Sequence, residues 1–311
     1  MSRRRIAGGA SLALALAAMI VPVPSLAFNP FAHLGGKAHA APAADTSKAG
    51  DAAAQIREAL DERRYVDADD LLGKAEIANI KTPELTCLRG ELFLARGNFT
   101  GALEIFRTVA NDPAQKPRAL EGEGLALSMN GKSDPAMADL QAATALDKSL
   151  WRAWNGLGRE YDMRADWKHS EAAYAAALAA PGANAAIVLN NRGYSHLLQH
   201  QVTEAAADFV AALGKDPALT AARTNLRITL AMEGQYSRAA VTGVGDDRAA
   251  VLNNVGLAAA IRGDYIEANK LLGEAIAAKG QSYARASDNL QLSKELEARA
   301  REIQPTPDVK R

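Results

Sequence analysis

Small residues recur along this chain at an interval of 34: Gly90, Gly124 and Gly158 form one series, and Ala68, Ala102 and Ala136 another. Large apolar residues keep step with the second series. Leu72, Phe106, Leu140, Tyr174, Phe209 and Leu272 lie four residues after a small one, and Ala75, Val109, Ala143, Ala177, Ala212 and Ala275 lie seven after it. Spacings of four and seven share one face of a helix, whereas period-two runs of Val, Ile, Thr and aromatics do not occur outside short stretches. The pattern predicts an all-α chain, and a period in this range predicts stacked repeats. Composition agrees: a chain of 311 residues that is 48% hydrophobic but only 5% aromatic must build its core from Ala and Leu, which favours helices.

The repeats begin at Ala49, Pro83, Pro117, Trp151, Ala186, Thr220 and Ala249. Position 8 is then Gly90, Gly124, Gly158, Gly193 and Gly256, with Ile56 and Arg227 as exceptions, and position 20 is Ala everywhere except Ser170. Two antiparallel helices can approach closely only where Cβ atoms are small, so these positions mark the crossing of a helix pair. Each pair leaves an apolar face that the next must cover. Gly97, Gly131, Gly234 and Gly263 stand just past the first helix of a pair, where a left-handed cap is expected, and Lys215-Asp216-Pro217 ends a second helix. The sixth repeat has a spacing of 29, with its second helix limited to about 237–241, and a bend or opening is expected there. Asp246 and Asp247 are expected to cap the helix that follows. The predicted organisation is repeats over 49–281, a capping helix over 282–303 and a disordered tail over 304–311.

The copy with Trp154, Leu157-Gly158, Tyr161 and Tyr174 resembles the tetratricopeptide repeat. The resemblance implies a right-handed α-solenoid of about seven helix pairs plus a cap, whose first helices line a concave groove through positions 2, 5, 6, 9, 12 and 13. Those positions include Arg118, Arg152, Asn155, Arg159, Asp162, Asn190, Asn191, Tyr194, Asn225 and Asn254, with Met129, Met163 and Met232 between them. Arg118, Arg152, Asn155, Arg159, Asn191, Tyr194, Asn225 and Asn254 are the candidate partner-binding set. An asparagine can exchange two hydrogen bonds with a peptide backbone and so grip an extended segment without reading its side chains. Relatives that bind a C-terminal carboxylate carry lysine at position 2, but Ile187, Ala221 and Ala250 stand there. The arginines Arg118, Arg152 and Arg159 make the central repeats the expected place for an acidic partner.

The N-terminus has three arginines, an uncharged apolar run and Ser25-Leu26-Ala27, which together predict a secretory signal peptide over 1–27. The apolar run ends at Pro22 and Pro24 after roughly 16 residues, short of the roughly 20 that a bilayer core needs, so cleavage is favoured over an uncleaved inner-membrane anchor. Residues 28–48, rich in Ala, Gly and Pro, read as a flexible linker. The mature chain would be slightly acidic and carries no nucleic-acid footprint. Its single cysteine, Cys87, can close no intramolecular disulfide, and no cysteine lies near the cleavage region to take a lipid. His196 and His200 are one helical turn apart, as in zinc-protease helices, but Leu197 replaces the catalytic glutamate and no third ligand is evident. In register, His196 is a packing position and His200 a turn position, so neither metal nor cofactor is expected. No catalytic constellation emerges either: Ser195 has no evident acid, Cys87 has no histidine partner, and the carboxylates read as solvated helix-surface groups.

Residues 185–292, which include NNRGYSHLLQHQVTEAAADF, NNVGLAAAIRGDYIEANKLLGEAI and YARASDNLQ, resemble the TadD family of tight-adherence (Flp, type IVb) pilus assembly. The resemblance implies a non-enzymatic periplasmic scaffold that holds an extended segment of a pilus-assembly or secretin component, with indirect association to the outer membrane and no covalent lipid. Alternatives are a periplasmic adaptor in another outer-membrane or peptidoglycan assembly pathway and, from a different class, a metal-binding protein or enzyme.

Overall fold

The computed structural model describes residues 49–243, 245–279 and 283–303; the expected signal peptide, the linker, the tail and the junction at 280–282 lie outside them. The described residues form fifteen helices and no strand. They come in pairs: α1 (Ala49–Asp61) with α2 (Tyr65–Ile77), α3 (Pro83–Ala95) with α4 (Phe99–Val109), α5 (Lys116–Met129) with α6 (Ser133–Leu146), and α7 (Trp151–Met163) with α8 (Trp167–Ala179). After these come α9 (Ala185–Leu198), α10 (Val202–Lys215), α11 (Thr220–Met232), α12 (Tyr236–Ala239), α13 (Arg248–Arg262), α14 (Tyr265–Lys279) and α15 (Ala284–Ile303). The chain divides into two compact units, so that residues 49–195 belong to one and 196–303 to the other, with the boundary inside α9.

Within the first unit the repeat glycines seat the large side chain sixteen residues later. A Cβ at Gly90 would stand 2.7 Å from the Phe106 ring, one at Gly124 2.7 Å from Leu140, and one at Gly158 2.6 Å from Tyr174. Gly122 extends the device between neighbouring pairs, since its missing Cβ would lie 2.3 Å from that same Phe106 ring. In the second unit Gly256 receives Leu272 in the same way, at 2.8 Å. Ala68, Ala102, Ala136, Ala205, Ala239 and Ala268 are fully buried at the crossings.

Position 15 is left-handed in all seven repeats. Gly97, Gly131, Gly234 and Gly263 have φ of 76°, 72°, 79° and 94°, and Arg63, Ala165 and His200 take the same place with φ of 59°, 55° and 60°. The turn geometry therefore persists where no glycine announces it, at a cost that the two flanking helices outweigh.

The sixth repeat departs from the rest. Its second helix, α12, has only four residues and ends at Ala239, and Gly243, which the register would place against position 8, lies outside any helix. Position 8 is filled instead by Arg227, whose guanidinium donates to the Val241 carbonyl at 2.8 Å and to Asp246 Oδ2 at 2.6 Å. Asp246 also accepts from the Gly243 amide at 2.6 Å, with Arg223 3.6 Å away. Of the two acids expected to cap α13, only Asp247 does so, accepting from the Ala250 amide at 3.2 Å while pairing with Lys279 at 2.6 Å. Asp246 faces back to Arg227, because the shortened helix leaves an arginine to be neutralised there.

Candidate functional site

The first helices of the unit 49–195 bring Arg118 and Arg152 together through acids of their own chain. Arg152 donates to Glu121 at 3.0 Å and to Glu91 at 3.3 Å, and Arg118 stands 3.9 Å from Glu91. Glu121 is 2% exposed and also accepts from the Ala153 amide at 3.0 Å. Burial works against the Arg152 charge, but Glu121 and Glu91 outweigh it and raise the pKa. The charge expected to attract an acidic partner is therefore already neutralised. Arg159 does not join this group: it is partly buried near Tyr174, Glu160 and Asp162, and desolvation pushes its guanidinium down to about 10, still charged at neutral pH.

The asparagines form ladders. Asn191 Nδ2 donates to Asn155 Oδ1 at 3.0 Å and its own oxygen accepts from Asn190 Nδ2 at 3.2 Å; all three are buried. The second unit repeats the motif, with Asn253 Nδ2 to Asn254 Oδ1 at 3.2 Å and Asn289 Nδ2 to Asn253 Oδ1 at 2.9 Å. In both cases the residue 36 positions later reaches back to the preceding first helix, so α15 stands where the first helix of an eighth repeat would stand. Asn155 and Asn191 thus hold neighbouring helices in register, while Tyr194, Asn225 and Asn254 remain partly exposed.

Ser195, expected to lack an acid, has one. Its hydroxyl donates to Asp162 Oδ1 at 2.6 Å; Tyr174 donates to Asp162 Oδ2 at 2.8 Å, and Ser170 donates to the same carboxylate. Burial raises the Asp162 pKa, and the three hydroxyl donors pull against that rise. Ser195 is 2% exposed, and among the described residues no histidine lies between it and Asp162, so this is a buried polar joint and not a nucleophile with its base. Glu160, fully buried, likewise accepts from Ser128 and Ser133. Asp162 and Glu160, read as solvated, are in fact interior groups satisfied by hydroxyls, those on Glu160 from the preceding repeat and those on Asp162 from its own repeat and the next.

In the second unit His196 Nδ1 lies 2.7 Å from Gln201 Oε1 and Nε2 lies 3.6 Å from Asp208, whereas His200 is exposed at its turn. Among the described residues no group of three or more His, Cys, Asp or Glu is arranged to hold a metal. Burial pushes the Cys87 thiol up to about 12, which leaves it protonated at neutral pH.

One cleft of about 120 Å³ opens in the unit 49–195. Leu60, Asp61, Arg63 and Tyr65 supply one side of it, Glu91 and Ala95 the part that α3 contributes, and Trp151, Arg152, Asn184 and Ile187 the remainder. Metabolite pockets typically measure about 300 to 1,000 Å³, so this one has the size for a single side chain. Asp61 and Glu91 are absent from the candidate set although they occupy positions 13 and 9 of their repeats, two of the positions that the resemblance implies line the groove. The register itself could have found them.

No protein-family model matches the chain. The heat-shock protein cognate (HSC) co-chaperone sgt12, from Aspergillus fumigatus, is 30% identical over 108 residues, which are 34% of this chain and 31% of that protein, so the match spans about a third of that relative. Among solved structures the chain is similar to the APC/C hetero-tetramer Cut9-Hcn1, with a TM-score of 0.62 and 15% identity over 80% of this chain and 50% of that one. It is also similar to a thermophilic TPR protein of Thermus thermophilus, with a TM-score of 0.51 and 18% identity over 59% of this chain and 99% of that one. NprR in complex with its cognate peptide NprX gives a TM-score of 0.51 and 13% identity over 84% and 87% of the two chains. The fold is an all-α tetratricopeptide solenoid.

Proposed function

We propose that this protein is a non-enzymatic scaffold of the cell envelope that holds an extended segment of a protein partner and assists assembly of a Flp/Tad pilus. The observation that carries the capture of a segment is the side-chain-sized cleft among first helices of the unit 49–195. Tyr194 in the unit 49–195, and Asn225 and Asn254 in the unit 196–303, are partly exposed polar residues at positions expected to face a partner. A peptide offers one side chain at a time to such a face and uses its backbone for hydrogen bonds. The peptide complex of NprR, which shares the fold, is consistent with that use. The envelope location rests on the arginine-led apolar N-terminus, and the pilus assignment rests on the TadD-like stretch over 185–292.

The test is deletion of the gene followed by complementation. Loss of surface pili, restored by the parent chain and by a periplasmic pool of it, is the expected result. The double variant Asn225→Ala/Asn254→Ala should restore pili less well with its helicity intact, since each lost hydrogen bond removes about 1 kcal/mol of affinity, roughly fivefold. Asn191 is a poor choice for this purpose, because it also joins two helices. Intact piliation in the deletion strain removes the pilus assignment, and full complementation by the double variant removes the polar groups from the binding face.

A further inference from the structure

We infer that the cleft beside Trp151 takes a basic side chain, a lysine or arginine, of the captured segment. The inference rests on the peptide-capture reading and gives it a chemical identity.

Most charges on the cleft are already engaged. Arg152 is held by Glu121 and Glu91, Glu91 is shared with Arg118, and Arg63 has an interaction of its own. Asp61 differs from all of these, because it makes no hydrogen bond or ion pair to any described residue and yet stands on the cleft wall at the end of α1. Although the residue is exposed overall, desolvation at the cleft wall is the largest influence on its carboxyl and raises the pKa; Arg152, the next largest, lowers it, Glu91 raises it, and the more weakly acting Arg57 and Arg118 lower it, the net direction being upward. A carboxylate in that condition gains from a cation placed next to it. The rest of the wall suits the stem of such a side chain: Leu60 and Ile187 are aliphatic, and Tyr65 and Trp151 offer aromatic surface to methylenes and to the cation alike. The surrounding field has the same sign, since residues 49–195 contain 17 Lys or Arg against 21 Asp or Glu. An acidic side chain would meet Asp61 and Glu91, and of the two arginines of the wall Arg152 is paired with Glu121 and Glu91 and Arg63 has an interaction of its own.

Fluorescence anisotropy with residues 28–311 tests this, using three labelled heptapeptides, Ser-Asn-Leu-X-Leu-Asn-Ser, in which X is arginine, leucine or glutamate. The arginine peptide should bind about fivefold more tightly than the leucine peptide, the scale of one ion pair at a partly exposed site, and the glutamate peptide most weakly. Asp61→Asn should remove the preference for arginine, and Asp61→Lys should turn it toward glutamate. Asp61 is exposed at a helix end, so both variants should keep the parent's circular dichroism. A leucine or glutamate preference in the parent, or an arginine preference that Asp61→Asn leaves unchanged, overturns the assignment while peptide capture stands. Failure of all three peptides to bind overturns both.

Discussion

A glycine at position 8 acts through what its absent Cβ allows. At Gly158 the Tyr174 ring occupies that space, and the ring cannot retreat freely because its hydroxyl is bonded to Asp162. Gly158→Ala should therefore destabilise by about 1 to 3 kcal/mol through overpacking. Gly73, within α2, has nothing within 4 Å of its would-be Cβ, and Gly73→Ala should stabilise by about 0.5 to 1 kcal/mol through helix propensity alone. Thermal denaturation followed by circular dichroism checks the pair, and a like sign for both substitutions would contradict the packing described. These glycines were legible in the sequence because their spacing repeats. The partners of Glu121 and Glu160, and Ser195 as a partner of Asp162, were not, because those bonds join residues 27 to 33 apart on different helices, and a charged residue gives no sign in one copy that the next copy will cover it.

Among the elements, the sixth repeat shows how a solenoid tolerates a missing helix: Arg227 fills the place of the small residue at position 8, and Asp246 neutralises it. The hydrogen bond to Arg227 holds the Asp246 carboxyl below its ordinary range, and Lys279 does the same for Asp247. Their contributions are present above the unfolded value of about 4 and are lost as the pH falls through the lower folded values. In the unit 49–195, burial instead raises Asp162, Glu123 and Asp139, whose contributions are present below the unfolded value and decline as the pH rises; Asp147, held down by Ser149, is an exception there. Acidification below about pH 4 should therefore weaken residues 196–303 before 49–195. All three tryptophans, Trp151, Trp154 and Trp167, lie in the more acid-tolerant unit. Ellipticity should accordingly begin to fall at a higher pH than that at which tryptophan fluorescence changes, and Asp246→Asn should bring down stability at neutral pH while narrowing that gap. Coincident transitions would contradict it. The shortened helix could be read from the spacing of 29. The fate of Asp246 could not, since a capping acid and an acid that clasps an arginine look alike in sequence, and the left-handed turns at Arg63 and Ala165 likewise carry no glycine to mark them.

For the whole molecule, the fold was readable from periodicity, whereas the charge balance along the first helices was not. Arginines on successive first helices suggest an acidic partner, and only the distances of Arg118 and Arg152 to Glu91 and Glu121 show that the charge of these two is already balanced. The central claim is that the first-helix face holds a segment of a pilus-assembly protein. Photo-crosslinking in piliated cells tests it most directly, with a crosslinking amino acid placed at Tyr194 or Asn254 on first helices and, for contrast, at Val210 or Ile266, which are exposed on second helices. The account predicts adducts from Tyr194 and Asn254 whose partner, identified by mass spectrometry, is a secretin or pilus-assembly component, with none of that partner from Val210 or Ile266. Adducts to it from the second helices alone, or first-helix adducts only to proteins outside the pilus machinery, would contradict the account.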